Sequence, residues 1–207
     1  MTDVGPDRAT TDTPLQRVIL FFATRPIAAG KMQQMAYLAD LEHFWRHGSK
    51  ISGTAWLGYA DQAVSPGFDA TLVVASDVGA VTLTPELTEP PHDIDEPLMG
   101  ARVPADTTCQ TDRDAVGLSS DEYETLQFIM DLAGPLTLEE VGALVCNTSP
   151  MKLLAAQVTS GQARWAQPLI LYKDMAADAL AAVTEAAPLE QLAIADLREQ
   201  KAAGEAS

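Results

Sequence analysis

The residue types able to do chemistry are concentrated in one stretch. His43 and His47 stand four residues apart, with Asp40 and Glu42 beside them, and on a helix that spacing puts both imidazoles on one face where they could share a metal ion. Two histidines without a positioned third ligand more often hydrogen-bond locally. Asp40 and Glu42, two apart, do not face the same way and cannot form an acid/base pair by themselves. Other templates are missing: there is no Gly-rich phosphate loop, no CxxC, no GxSxG and no HExxH, and the remaining histidine is His92. Cys109 and Cys146, the two cysteines, read as reduced thiols acting as small hydrophobes. The residues therefore point away from an enzyme, and no cofactor or metal is expected.

The elements that must position these residues are mostly helices. Thr13-Pro14 pairs an N-cap with a proline at the first helical position and opens a helix from Leu15 to about Thr24, which Arg25-Pro26 ends. The second helix runs from about Ala29 to His47. Met32, Met35, Ala36, Leu38, Ala39, Phe44 and Trp45 fall on it at three- and four-residue spacings, as one broad buried stripe, and Gly48 supplies the stop. A small strand or hairpin is expected over Ile51 to Tyr59, then a helix from Gly67 to about Val78. Residues 84–117 hold Pro85, Pro90, Pro91, Pro97 and Pro104 and read as a long irregular insertion, touched by a short strand around Met99 to Val103. A Ser N-cap after Leu118 opens a helix to Leu132. The Thr137-Leu-Glu-Glu box opens another to about Cys146, and Ser149-Pro150 a third to about Ser160. Residues 168–173 read as a strand or the entry to a further helix. The fold class is mainly α: a compact multi-helix domain over residues 14–173 with a small β element, a flexible tail at 1–13, and an alanine-rich helical segment at 174–207.

Charge narrows the partners. The chain has 207 residues and a net charge of −16, which repels phosphate backbones. Residues 1–60 hold six basic and five acidic side chains, whereas residues 61–207 hold seven and 24. Five carboxylates fall between Glu86 and Glu96 with no lysine or arginine among them, which reads as a solvated loop. Residues 136–161 have a helix-turn-helix pattern, but the second helix offers only Lys152 as a cation, far short of the phosphate contacts DNA binding requires. No apolar run approaches the roughly 20 residues that span a bilayer. With no secretory signal in the first ten residues, the expected compartment is the cytoplasm.

The stretch from Lys31 to Gly53, with Tyr37, Asp40, His43 and Gly48 in the pattern K-x-x-x-h-x-Y-h-A-D-x-x-H followed by a G-x-x-h-x-G turn, resembles the signature of the Panacea domain, the SocA-like antitoxin family that includes phage-associated proteins. Leu118 to Leu126 and the Thr137 helix ending near Asn147-Thr-Ser-Pro-Met are similar to that domain's second half. The chain departs from the family's usual Tyr-Gly-Pro-Val-type turn, having Ala60-Asp-Gln-Ala-Val-Ser-Pro-Gly-Phe in its place. The resemblance implies a non-catalytic antitoxin that binds and neutralises a cognate protein toxin, with delivery of a partner to a protease as an alternative; the helix-turn-helix pattern of residues 136–161 leaves a DNA-binding regulator as a second alternative. Arg46, Trp56 and Tyr59 are the candidate partner contacts, because arginine and aromatic side chains are the usual interface anchors. No membrane or direct nucleic-acid partner is expected, and a homo-oligomer is compatible with this reading.

Overall fold

In the computed structural model, which describes residues 13–84, 103–112, 115 and 117–169, the first helix begins where Thr-Pro predicts it. Helix α1 (Pro14–Ala23) is capped by Thr13, whose hydroxyl accepts from the Gln16 amide at 3.1 Å. Thr13 thus belongs to the helix cap, and the remainder of the expected tail lies outside the described residues. Strand β1 (Ile27–Ala28) leads into α2 (Ala29–His47), which ends at Gly48. Gly48 has φ 72° and its amide reaches the Phe44 carbonyl at 2.8 Å, a left-handed stop that favours glycine. Next come β2 (Leu57–Gly58), β3 (Ala63–Val64), α3 (Phe68–Asp77), β4 (Thr82–Thr84) and β5 (Thr108–Gln110). Helices α4 (Ser120–Ala133), α5 (Leu138–Asn147) and α6 (Ser149–Thr159) and strand β6 (Gln167–Pro168) complete the described chain. About 54% of the described residues are helical, in six helices. Ser119 with Glu122 and Thr137 with Glu140 each form the reciprocal capping box that their spacing predicts.

Two small antiparallel sheets join the helices, one in the order β1-β5-β4 and the other β3-β2-β6. Of the small strand or hairpin expected over Ile51 to Tyr59, β2 falls within that stretch, and its hairpin partner β3 lies beyond it. Of residues 168–173, Pro168 lies in β6 and 170–173 lie outside the described residues, as do 174–207.

Two expectations are corrected. The insertion is not irregular throughout. Met99 to Arg102 and the acidic run lie outside the described residues, and Val103 is in no strand. β5, however, is the central strand of its sheet, with Ile27 opposite Cys109 and Leu83 opposite the same residue. Around it, the Ala29 and Gly30 amides at the start of α2 donate to the Thr107 and Ala105 carbonyls, both at 2.8 Å, and the Thr111 amide donates to the α1 carbonyl of Ala23 at 2.8 Å. Residues 105–111 therefore cap the start of α2, where Ala28 has no capping side chain, and satisfy the last carbonyl of α1 beyond the Thr24 cap. The prolines draw attention away from Thr107-Thr-Cys-Gln-Thr, a run suited to a strand. A Cβ on Gly30 would stand 2.8 Å from the Ala105 Cβ, so the close approach requires glycine.

The second correction concerns α2. A one-sided stripe would leave its polar residues wet, yet every residue from Met32 to His43 is buried, more than three turns in succession. Phe44 and Trp45, expected on the stripe, are only partly buried. The helix is the axis of the molecule, packed chiefly against α4 and α5 with α1 and β3 alongside.

Leu38 is fully buried on that axis. Leu38→Asp should unfold the protein, because an unpaired interior carboxylate costs several kcal/mol against a total stability of about 5–15 kcal/mol. A thermal melt unchanged from wild type would contradict the placement of α2.

Candidate functional site

A helix buried all round must find a partner for each polar side chain it carries, and α2 carries Lys31, Gln34, Tyr37, Asp40 and His43 at intervals of three. Three residues advance a helix by about 300°, so each successive member is turned about 60° back from the one before and about 4.5 Å further along. The five sweep roughly 240° around the axis. They cannot converge on a single substrate, and each reaches a different part of the chain.

The Lys31 ammonium donates to the carbonyls of Gly134 and Leu136 at 2.6 and 2.5 Å, fastening the turn between α4 and α5. Burial pushes its pKa down, partly offset by Glu140 nearby. Gln34 grips β3 with both ends of its amide: the Ala63 amide donates to its oxygen at 3.0 Å and its nitrogen donates to the Ala63 carbonyl at 3.1 Å. The Tyr37 hydroxyl lies 2.9 Å from that of Thr148, between α5 and α6. Because the Thr148 hydroxyl is itself spent on the Val145 carbonyl at 2.6 Å, Tyr37 is the donor. Burial raises the phenol's pKa, so it stays protonated. His43 Nδ1 is 2.7 Å from the Ser49 carbonyl and holds the turn after Gly48.

Asp40 carries the largest cluster. One carboxylate oxygen accepts from the amides of Ile51 and Ser52 at 2.9 and 2.8 Å; the other accepts from the Ser52 hydroxyl and from the Trp56 indole at 2.8 Å. Its residue is fully buried. Burial pushes the carboxyl above the ordinary carboxylate range, opposed by the Ser52 donors, the Trp56 indole and the charge of Lys50. Gly53, with φ 66°, lets the chain turn directly after the two amides that face Asp40. Trp56 then packs edge-on against Tyr37, ring centroids 5.6 Å apart.

The residues that carry the resemblance thus have assigned places. Lys31, Tyr37, Asp40, His43, Gly48 and Gly53 all hold the architecture around α2. The residues whose spacing would allow a shared metal are committed separately: the His43 and His47 rings lie 4.6 Å apart, but Asp40 serves the 51–56 loop and Glu42 pairs with Arg46 at 2.6 Å. Among the described residues no three His, Cys, Asp or Glu side chains converge as ligands. Cys109 and Cys146 are free thiols; burial pushes Cys109 up to about 12 and raises Cys146, with Asp61 adding to the latter.

The three candidate partner contacts separate. Trp56 is only 2% exposed and, bonded to Asp40, is an interior anchor; its selection as a surface contact is corrected. Arg46 is exposed at the end of α2, paired with Glu42 and lying over the Phe128 ring of α4 at 5.1 Å. Tyr59 is half-buried at the start of the β2–β3 turn, whose Ala60 carbonyl lies 3.7 Å from the Cys146 sulfur of α5. Sequence reasoning missed Gln34, although the unbroken three-residue progression from Lys31 to His43 was its signal. No family model matches this chain, and no curated protein or solved structure does.

Asp40→Asn keeps one acceptor but turns an amide NH₂ toward the Trp56 N–H, so it should cost about 1–3 kcal/mol at neutral pH. The pH profile separates charge from geometry. Because the folded pKa lies above the unfolded one, the folded state holds the proton longer, and Asp40 loses stabilisation as pH rises from about 4 through the raised value. Urea titrations at several pH values should show the wild-type advantage over Asp40→Asn shrinking upward through that window; a constant gap would contradict the shift.

Proposed function

We propose that this chain is a non-catalytic, antitoxin-like protein that binds and neutralises a cognate protein toxin in the cytoplasm. The resemblance to the Panacea domain supplies the class. The observation that supports binding over catalysis is the fate of the chemistry-bearing residues of α2: Lys31, Gln34, Tyr37, Asp40 and His43 each donate to or accept from another part of the chain. Residues committed in this way, on five bearings around a buried helix, build a scaffold whose working surface lies elsewhere. No helix among the described residues is long and apolar enough to cross a membrane, and the net charge of −16 disfavours nucleic acid as the direct partner.

Arg46 and Tyr59 remain the surface candidates from the sequence. Arg46 is held by Glu42 and Phe128, so it presents a preorganised guanidinium, the kind of rigid anchor that binds at low entropic cost. Co-expression of the neighbouring gene should arrest growth without this protein and spare growth with it. The Arg46→Glu, Tyr59→Ala double variant, checked for an unchanged melt, should rescue at least about tenfold less well by plating efficiency. Equal rescue removes these two residues from the interface, and a neighbouring gene that is harmless alone overturns the antitoxin reading. Rescue that disappears only in a protease-deficient host assigns the adaptor mode instead.

A further inference from the structure

Of the described basic residues in the first sixty, four have a hydrogen-bond partner within the molecule. Arg17 donates to the Gly117 carbonyl, Lys31 to Gly134 and Leu136, Arg46 to Glu42, and Lys50 to the Thr54 carbonyl. Arg25 differs. It is exposed at the turn between α1 and β1, and among the described residues its guanidinium has no ion-pair or hydrogen-bond partner.

Two hollows meet at this arginine. One, of about 230 Å³, has Phe21 and Tyr123 in its wall; the other, of about 300 Å³, has Pro26, Ile27 and Pro135; Arg25 and Met130 line both. Each alone is at or below the bottom of the range for small-molecule sites, about 300–1,000 Å³. Adjoining as they do, they suit a ligand that is long rather than globular. No carboxylate lines either hollow among the described residues, and Lys31, in the wall of the larger one, has its ammonium taken by the Gly134 and Leu136 carbonyls. In a chain of net charge −16, one exposed guanidinium between Phe21 and Tyr123 on one side and Pro26, Ile27 and Pro135 on the other, with no acid among the described lining residues, is complementary to an acidic, partly apolar chain. Tyr123, 53% exposed and edge-on to Phe21 at 5.4 Å, supplies an aromatic rim with a wet hydroxyl.

We propose that the groove between the α1–β1 turn and α4 docks an extended acidic segment of a partner protein, with Arg25 taking one carboxylate and the two hollows taking apolar side chains on either side of it. In extended chain, residues two apart share a face at about 6.6 Å spacing. The sequence recognised is therefore apolar, any, acidic, any, apolar. The inference rests on the protein-binding reading above, but it specifies a surface and a chemistry that the resemblance does not.

The test is a fluorescence-polarisation titration of the full chain with labelled Ser-Leu-Ser-Glu-Ser-Leu-Ser and with the same peptide carrying Gln or Lys in place of Glu, at peptide concentrations up to about 1 mM. The Glu peptide should bind, about tenfold or more tightly than the Gln peptide, and should weaken as salt is raised. Arg25→Glu, exposed and therefore compatible with an unchanged melt, should lose the Glu peptide and gain the Lys peptide. Equal binding of Glu and Gln peptides, absence of any binding, or a Glu peptide indifferent to Arg25→Glu would each overturn the proposal. No toxin enters this assay, so its failure overturns the groove alone, whereas failure of growth arrest in the co-expression experiment overturns the antitoxin reading alone.

Discussion

A carboxylate removed from water is costly unless donors surround it, and Asp40 is fully buried in the middle of the central helix. Four donors from one short loop meet it: two successive backbone amides, the Ser52 hydroxyl and the Trp56 indole. The consequence runs outward. With Ile51 and Ser52 fixed on the carboxylate, Gly53 turns the chain, Trp56 is drawn to 2% exposure beside Tyr37, and the β2–β3 hairpin starts from a determined place. Gln34 takes the far side of that hairpin through both bonds to Ala63. A hairpin with strands of two residues has little stability of its own; here it is held to α2 by one carboxylate and one amide.

The same logic extends along the helix because of its period. Residues three apart walk backward around an α-helix, so five polar side chains bind five separate pieces of chain to one axis. Each bond is modest, about 0.5–1.5 kcal/mol net. Their value is in specificity: an apolar surface would accept α4, α5 and the hairpin in several registers, whereas a buried ammonium that needs the carbonyls of Gly134 and Leu136 accepts one. Residues 105–111 do the corresponding work at the helix ends, offering carbonyls to the α2 amides and an amide to the last turn of α1.

Local signals in the sequence were therefore reliable where the interaction is local. The Thr13 cap, the two reciprocal boxes at Ser119 and Thr137 and the Gly48 stop involve partners within four residues, and the C-terminal bound of α2 follows directly. What was not legible depends on partners far along the chain. β5 has three residues and pairs with β1 and β4, the first some 80 positions upstream in sequence, so the strand-suited run Thr107-Thr-Cys-Gln-Thr is too short to stand out against the surrounding prolines. The burial of Gln33, Gln34, Asp40 and Glu42 opposes the usual distribution of polar residues. Periodicity of the apolar residues sees only the greasy face, while the polar three-step series that reveals the other faces is visible only as a pattern in its own right. Trp56 failed as an interface candidate for the same reason: an aromatic residue in a short strand looks the same from sequence whether it faces solvent or a carboxylate sixteen residues away.

This division of labour has a consequence for where specificity can evolve. Substitution of Lys31, Tyr37 or Asp40 would disturb the fold, and with it the binding proposed above, since each holds an element on which surface residues stand. Arg25, by contrast, sits in a turn and makes no hydrogen bond or ion pair through its guanidinium among the described residues. A change there alters the charge offered to a partner while leaving the axis and its five attachments untouched. The surplus of acid works in the same direction: with 29 acidic side chains against 13 basic ones, general association is suppressed by repulsion. An exposed cation flanked by apolar side chains offers a contact that the surplus of acid does not, and recognition can be tuned at the rim of a core that does not have to change.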